Sequence, residues 1–160
     1  MEHDQILREQ LLHLLQGGEA HTYFDSLINS FPVQAVNRKA PGVPYTPWHV
    51  LEHMRIAQWD ILEFSRDASH ISPGWPEGYW PEPDREADEA TWRKSIAAFR
   101  ADLEAIARLV ADPAQDLFAQ IPHGTGQTFL REVLLVADHN AYHLGVLATL
   151  KRLLVDGPRD

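Results

Sequence analysis

The chain has 160 residues, 44% of them hydrophobic, and a formal net charge of -9. That is enough chain for one domain whose core needs no disulfide or structural metal, and it is too apolar for a disordered protein. The acidic balance, with no Lys/Arg-rich run, argues against a nucleic-acid binder, and the lack of cysteine excludes disulfides, thiolate metal sites and a cysteine nucleophile.

Ile6, Leu7, Leu11, Leu14 and Leu15 recur at helical spacing and predict a first helix ending at Gly17-Gly18. A short helical segment is expected around Tyr23 to Ser30, stopped by Phe31-Pro32. Thr46-Pro47 has the form of an N-cap followed by a first-turn proline, and predicts a long helix to about Arg66. The next runs from about Glu89 to Ala111, with Trp92, Ile96, Phe99, Leu103, Ile106 and Val110 on one face, and stops before Pro113. The last begins near Thr128 and continues to about Val155, closed by Gly157-Pro158.

No segment alternates with the period of a strand, and no repeat or linker divides residues 1–160. The expectation is a single all-α domain built as a four-helix bundle. About 20 residues rich in Pro, Gly and Trp join the Pro47 helix to the Glu89 helix. Extended at ~3.3 Å per residue, such a loop can cross the full length of a ~30 Å helix. The two helices it joins are therefore expected to be parallel, with the last helix antiparallel to the first of them. No apolar stretch reaches the ~18–20 residues that span a bilayer. The start MEHDQILREQ lacks the cationic and apolar regions of a signal peptide, so the expected location is the cytoplasm, with no membrane partner.

Histidine placement carries the functional signal. Val50, Met54, Ala57, Ile61 and Phe64 define the buried stripe of the Pro47 helix; His53 falls about 60° from its centre and His49 about 100° away. His53 is thus turned inward and His49 sits at the margin. The stripe of the last helix is Phe129, Val133, Val136, His139, Asn140, His143, Leu147, Leu150 and Leu154, with both histidines inside it one turn apart. A lone histidine on an apolar face is commonly a hydrogen-bonded core residue. Two at i and i+4 can chelate one ion, and a third inward histidine strengthens that reading. Imidazoles suit zinc, nickel, iron or copper better than magnesium or calcium, which prefer oxygen ligands.

Two familiar metal chemistries are excluded. HNAYH has the spacing of the zinc-protease motif, but Asn140 stands where H-E-x-x-H places its general base. Di-iron carboxylate bundles need Glu-x-x-His pairs, and no Glu here is followed three residues later by His.

The segments TPWHVLEHMRIAQWDILEFSRD and DHNAYHLGVLATLKRLL, together with the loop GWPEGYWPEP, resemble the DinB-like superfamily, the DinB/YfiT-like metalloenzymes. The resemblance implies an up-down-down-up four-helix bundle. It implies a divalent metal such as zinc, nickel or iron on three histidines, whose matching positions are His53, His139 and His143. His49 competes for the first place, but Leu51-Glu52-His53 carries the family's L-x-H pattern. It further implies a metal-dependent hydrolase, or a transferase or isomerase using a low-molecular-weight thiol, acting on a small-molecule substrate in a homodimer. A non-catalytic metal-binding or interaction protein of the same fold is the alternative.

Three imidazoles leave an open coordination position, as catalytic sites do. Asp138 and Asn140 adjoin the ligands and are candidates to orient them. Asp60, on the His53 side of its helix, reads as a structural hydrogen-bonding residue, and Tyr142 as a surface or interface residue. Trp75, Tyr79 and Trp80 either pin the crossover to the bundle or wall the pocket mouth. His3, His13, His21, His70 and His123 lack partner spacing and are expected at the surface or in local hydrogen bonds.

Overall fold

A computed structural model of the chain describes residues 2–17 and 20–157. Gly18 and Pro158, which the sequence places at helix ends, lie outside the described residues. The fold is all-α: helices α1 (Glu2–Gln16), α2 (Phe24–Asn29), α3 (Pro47–Arg66), α4 (Glu89–Ala111) and α5 (Phe129–Lys151). Among the described residues there is no strand, only one isolated bridge between Gln120 and Thr128.

The long helices start where their caps dictate. Thr46 Oγ1 accepts the His49 amide at 3.2 Å with Pro47 in the first turn, Asp88 accepts the Thr91 amide at 2.7 Å, and Thr128 accepts the Arg131 amide at 3.2 Å. Each bond satisfies an amide that the first helical turn leaves without a partner.

At the other end of α5 the structure departs from the sequence reading. Regular α-helix stops at Lys151, and a wider π-type turn covers Arg152–Asp156 before Gly157, whose φ of 72° is open to glycine. The turn keeps Leu154 in the core, while Arg38 donates to the Leu154 carbonyl at 2.8 Å.

The buried stripe of α1 also differs from the expected one. Ile6 and Leu14 are exposed, whereas Leu11, Leu15 and Arg8 are buried. Arg8 sits at the C-terminal end of α4. Its guanidinium donates to the carbonyls of Val110, Asp112 and Gln115 at 2.7–2.9 Å and to Asp4 at 2.8 Å. A cation there satisfies helix-end carbonyls and opposes the negative end of the dipole, which turns α1 onto its Arg8 face.

Helix α3 packs on α4 and α5, and α1 closes the other side by packing on the same two helices. The Trp48 indole donates to Ser95 Oγ at 3.2 Å and the Gln58 amide to the Phe99 carbonyl at 2.7 Å, so contacts run in the same order along α3 and α4. Along α3 and α5 the order is reversed: His53 meets His143, and Gln58 meets Asn140. One apolar cluster gathers around Trp48, Met54, Phe99 and Leu147, and another around Leu62, Ile106, Val110 and Val133. On α3 and α5 the positions between these clusters carry polar side chains. That level holds His139 and His143 of α5, while His53 stands on α3 among Val50, Leu51 and Met54 of the first cluster.

Candidate metal centre

His53 comes from the first half of α3, His139 and His143 from consecutive turns of α5. The structure brings the three together. His53 Nε2 lies 3.1 Å from His139 Nε2 and 3.1 Å from His143 Nε2, and one ligand nitrogen from each residue falls within 4.8 Å of the others.

Hydrogen bonding fixes the state of His53. Its Nδ1 is 2.9 Å from the Tyr79 carbonyl, which can only accept. A neutral imidazole carries one proton, so that proton is on Nδ1 and a lone pair is on Nε2. Two further imidazole nitrogens then face this single lone pair. His143 Nδ1 is buried without a partner, so its tautomer is free to follow whatever Nε2 meets.

Protonation does not resolve the crowding. Burial pushes His139 down to about 4, reinforced by neighbouring His53 and opposed by Asp138; burial, then His139 and His53, push His143 down to about 3. His53 is lowered by burial, against the opposing effect of the Tyr79 carbonyl. All three are therefore neutral near pH 7, with lone pairs available.

The donor set fits a divalent transition metal. Zinc–imidazole bonds of about 2.0–2.1 Å require ligand nitrogens roughly 3.3 Å apart in a tetrahedron and roughly 2.9 Å apart on an octahedral edge. The two 3.1 Å separations from His53 lie between these values. The single His53 lone pair can accept from only one of the two α5 imidazoles, whereas a cation at the convergence point would take a lone pair from all three.

The remaining sequence candidates go elsewhere. His49 is buried, not marginal, because the crossover covers it. Its Nδ1 accepts the Thr46 amide at 3.4 Å and its Nε2 donates to the Arg85 carbonyl at 2.9 Å, so both nitrogens are used away from the cluster. Asp138 is exposed and hydrogen-bonds none of the three histidines. The Asn140 amide donates to Gln58 Oε1 at 2.8 Å, a tie between α5 and α3. Asp60 is buried and accepts from His70 Nε2 at 2.7 Å and from the Tyr79 hydroxyl at 2.6 Å. His3 and His13 are exposed, His21 bonds the Thr22 carbonyl, and His123 donates to the Phe64 carbonyl at 2.6 Å.

What orients the cluster is the crossover. Tyr79 supplies the carbonyl on His53, and the Trp80 indole stacks on the same imidazole. Tyr45 stacks on Trp80 at 5.6 Å, and Tyr142, itself 69% exposed, sets its ring perpendicular to His143 at 4.9 Å. Both tyrosines also line a groove of about 310 Å³ with Val43, Gly145, Val146 and Leu153. Loop length and aromatic content mark this segment in the sequence. The carbonyl does not show there, because every residue has one.

Comparison with curated proteins and with solved structures gives no match. A family model described as the DinB superfamily matches residues 16–147, a span that includes all three clustered histidines and most of the chain. The chain belongs to the DinB superfamily.

Proposed function

We propose that the protein is a metal-dependent enzyme that acts on a small molecule, by hydrolysis or by transfer to a low-molecular-weight thiol. One observation carries the reading: His53 Nε2 of α3 lies 3.1 Å from the Nε2 atoms of both His139 and His143 of α5, and one ligand nitrogen from each of the three falls within 4.8 Å of the others. A divalent ion bound there by three ligands supplies Lewis-acid polarisation and lowers the pKa of a water or thiol that it takes up.

The chain's own residues contribute placement. Tyr79 holds the His53 tautomer, Trp80 shields one face of that ring from water, and Tyr142 flanks His143. The groove beside Tyr142 is lined by uncharged side chains, which suits an uncharged, partly apolar substrate portion. With no cysteine in the chain, a nucleophilic thiol comes from a cofactor.

The same proposal includes an up-down-down-up course of α1, α3, α4 and α5, supported by the order of contacts along α3 with α4 and with α5. It also includes a homodimer and a cytoplasmic setting. Among the described residues no helix is long and apolar enough to cross a membrane.

A non-catalytic metal-binding protein is the second reading. It is favoured by the absence, among the described residues, of any carboxylate hydrogen-bonded to the three histidines. The deciding experiment is metal analysis of protein purified without a His tag, followed by assays against an ester and amide panel and against electrophiles with small thiols. Near one ion per chain and turnover of one panel are expected. Bound metal with no turnover selects the second reading, and no metal in the unsubstituted protein overturns both. His139→Ala is expected to abolish binding while the helices persist.

A further inference from the structure

Asp60 lies two turns beyond His53 on α3 and hydrogen-bonds none of the clustered histidines. It is 7% exposed, and both carboxylate oxygens are committed to the crossover. One accepts from the Tyr79 hydroxyl at 2.6 Å and the other from His70 Nε2 at 2.7 Å. Bonds to a carboxylate at these lengths are charge-assisted and stronger than neutral ones. Tyr79 therefore grips α3 twice, by its hydroxyl at Asp60 and by its carbonyl at His53. The next residue, Trp80, covers the His53 ring.

The geometry points to Asp60 as a positioning residue for the candidate metal centre: by clamping Tyr79 and His70 it fixes the carbonyl that sets the tautomer and ring plane of His53. The inference rests on reading the three histidines as metal ligands. A carboxylate serving only to staple the loop could bond any crossover residue. This one holds the residue whose backbone directs the metal-facing nitrogen of His53. Ligating imidazoles depend on such partners on their other nitrogen, which fix orientation and raise ligand basicity. Here that partner is a loop carbonyl, and its position is only as definite as the side chain that anchors it.

The test compares Tyr79→Phe, Asp60→Leu and Asp60→Asn with the unsubstituted protein. Zinc affinity is measured by chelator competition, the cobalt-substituted visible spectrum is recorded, and the His53 Nδ1–H proton signal is followed in metal-free, nitrogen-15-labelled protein. Tyr79→Phe removes one hydroxyl and is expected to weaken zinc about tenfold, the lower end of the range for such partners, and to shift the cobalt spectrum. Asp60→Leu is expected to weaken zinc by up to about 100-fold. Asp60→Asn keeps an acceptor for Tyr79 and is expected to restore most of the affinity. Folded Tyr79→Phe protein with unchanged affinity and spectrum overturns the proposal. So does an Asp60→Leu protein that loses thermal stability alone. If the unsubstituted protein binds no ion, the metal reading fails by itself. The metal-free His53 signal then still decides the role of Asp60: its loss in Tyr79→Phe supports positioning, and its persistence overturns it. Should Asp60→Leu fail to fold, the Tyr79→Phe measurements decide on their own.

Discussion

The indole of Trp80 lies flat on the imidazole of His53, ring centroids 3.9 Å apart and planes 3° from parallel. Burial holds the His53 pKa below its ordinary value, and this indole covers one face of the ring. Trp80→Ala is expected to admit water to that face and move the His53 pKa back up toward 6.5. Zinc affinity is expected to fall about tenfold, because the ring also loses its orientation. Nuclear magnetic resonance titration of the metal-free variant checks the first effect and chelator competition the second. An unmoved His53 titration would show that the helices alone keep the ring dry.

His49 and His53 are one turn apart on α3 but have different duties. Both His49 nitrogens are spent on Thr46 and Arg85, so His49→Ala removes the side-chain half of a reciprocal helix cap and the bond to the crossover carbonyl without touching the cluster, while Thr46 Oγ1 still accepts the residue-49 amide. The expected cost is about 1–2 kcal/mol in chemical denaturation, with full metal content retained. His53→Ala is expected to show the converse pattern, little metal and a smaller stability loss. Loss of metal in His49→Ala would reassign the ligand.

These two residues also show how far the sequence could be read. Helical periodicity separated His53 from His49 because rotation about a helix axis is local information. The pairing of His139 with His143 was legible for the same reason. Burial of His49 was not, since it depends on a loop that returns over α3 more than 30 residues later to offer the Arg85 carbonyl. The caps at Thr46, Asp88 and Thr128 fixed where helices begin. The register of α1 escaped the sequence, because Arg8 answers to carbonyls about 100 residues away. Asp60 was recognisable as a hydrogen-bonding residue, but its partners His70 and Tyr79 lie on the crossover, whose path no local pattern specifies.

Arg8 therefore gives a stability prediction that leaves the candidate metal centre alone. Arg8→Met keeps much of the apolar stem but leaves the carbonyls of Val110, Asp112 and Gln115 without their shared cation. Charged hydrogen bonds of this kind are each worth about 1.5–3 kcal/mol and add incompletely, so a loss of roughly 2–4 kcal/mol is expected. Urea denaturation measures it, and unchanged zinc affinity in the folded variant localises the effect.

The depressed histidines make stability of the metal-free protein depend on pH with a definite sign. His139 and His143 are held at about 4 and about 3 in the fold, against about 6.5 in an unfolded chain. Between those values the unfolded state binds more protons, so stability rises with pH there. Metal-free protein is expected to keep its full histidine contribution above about pH 6.5 and to lose it progressively as pH falls toward 4. Denaturation midpoints at pH 7, 5.5 and 4.5 follow this, and His139→Ala is expected to flatten the profile. A wild-type profile level across that range would mean that the imidazoles are solvated in the metal-free protein.

The tie between Asn140 and Gln58 allows the polar level to be tested apart from the histidines. Gln58 donates to the Phe99 carbonyl, which fixes its amide orientation and leaves Oε1 to accept from Asn140 at 2.8 Å. Asn140 Oδ1 is then a buried acceptor without a partner. Asn140→Leu strands Gln58 Oε1, and Gln58→Leu strands the Asn140 amide, so each single change is expected to cost about 1–3 kcal/mol. The double change leaves no stranded partner and joins the two apolar clusters. Its cost is expected to fall below the sum of the singles by at least about 1 kcal/mol, within the range measured for coupled neighbours. Additive costs in the double-mutant cycle would mean that water already serves both amides. The double variant retains all three histidines and is expected to bind zinc as the unsubstituted chain does, which separates the polar tie that aligns α3 with α5 from the three histidines that those helices carry.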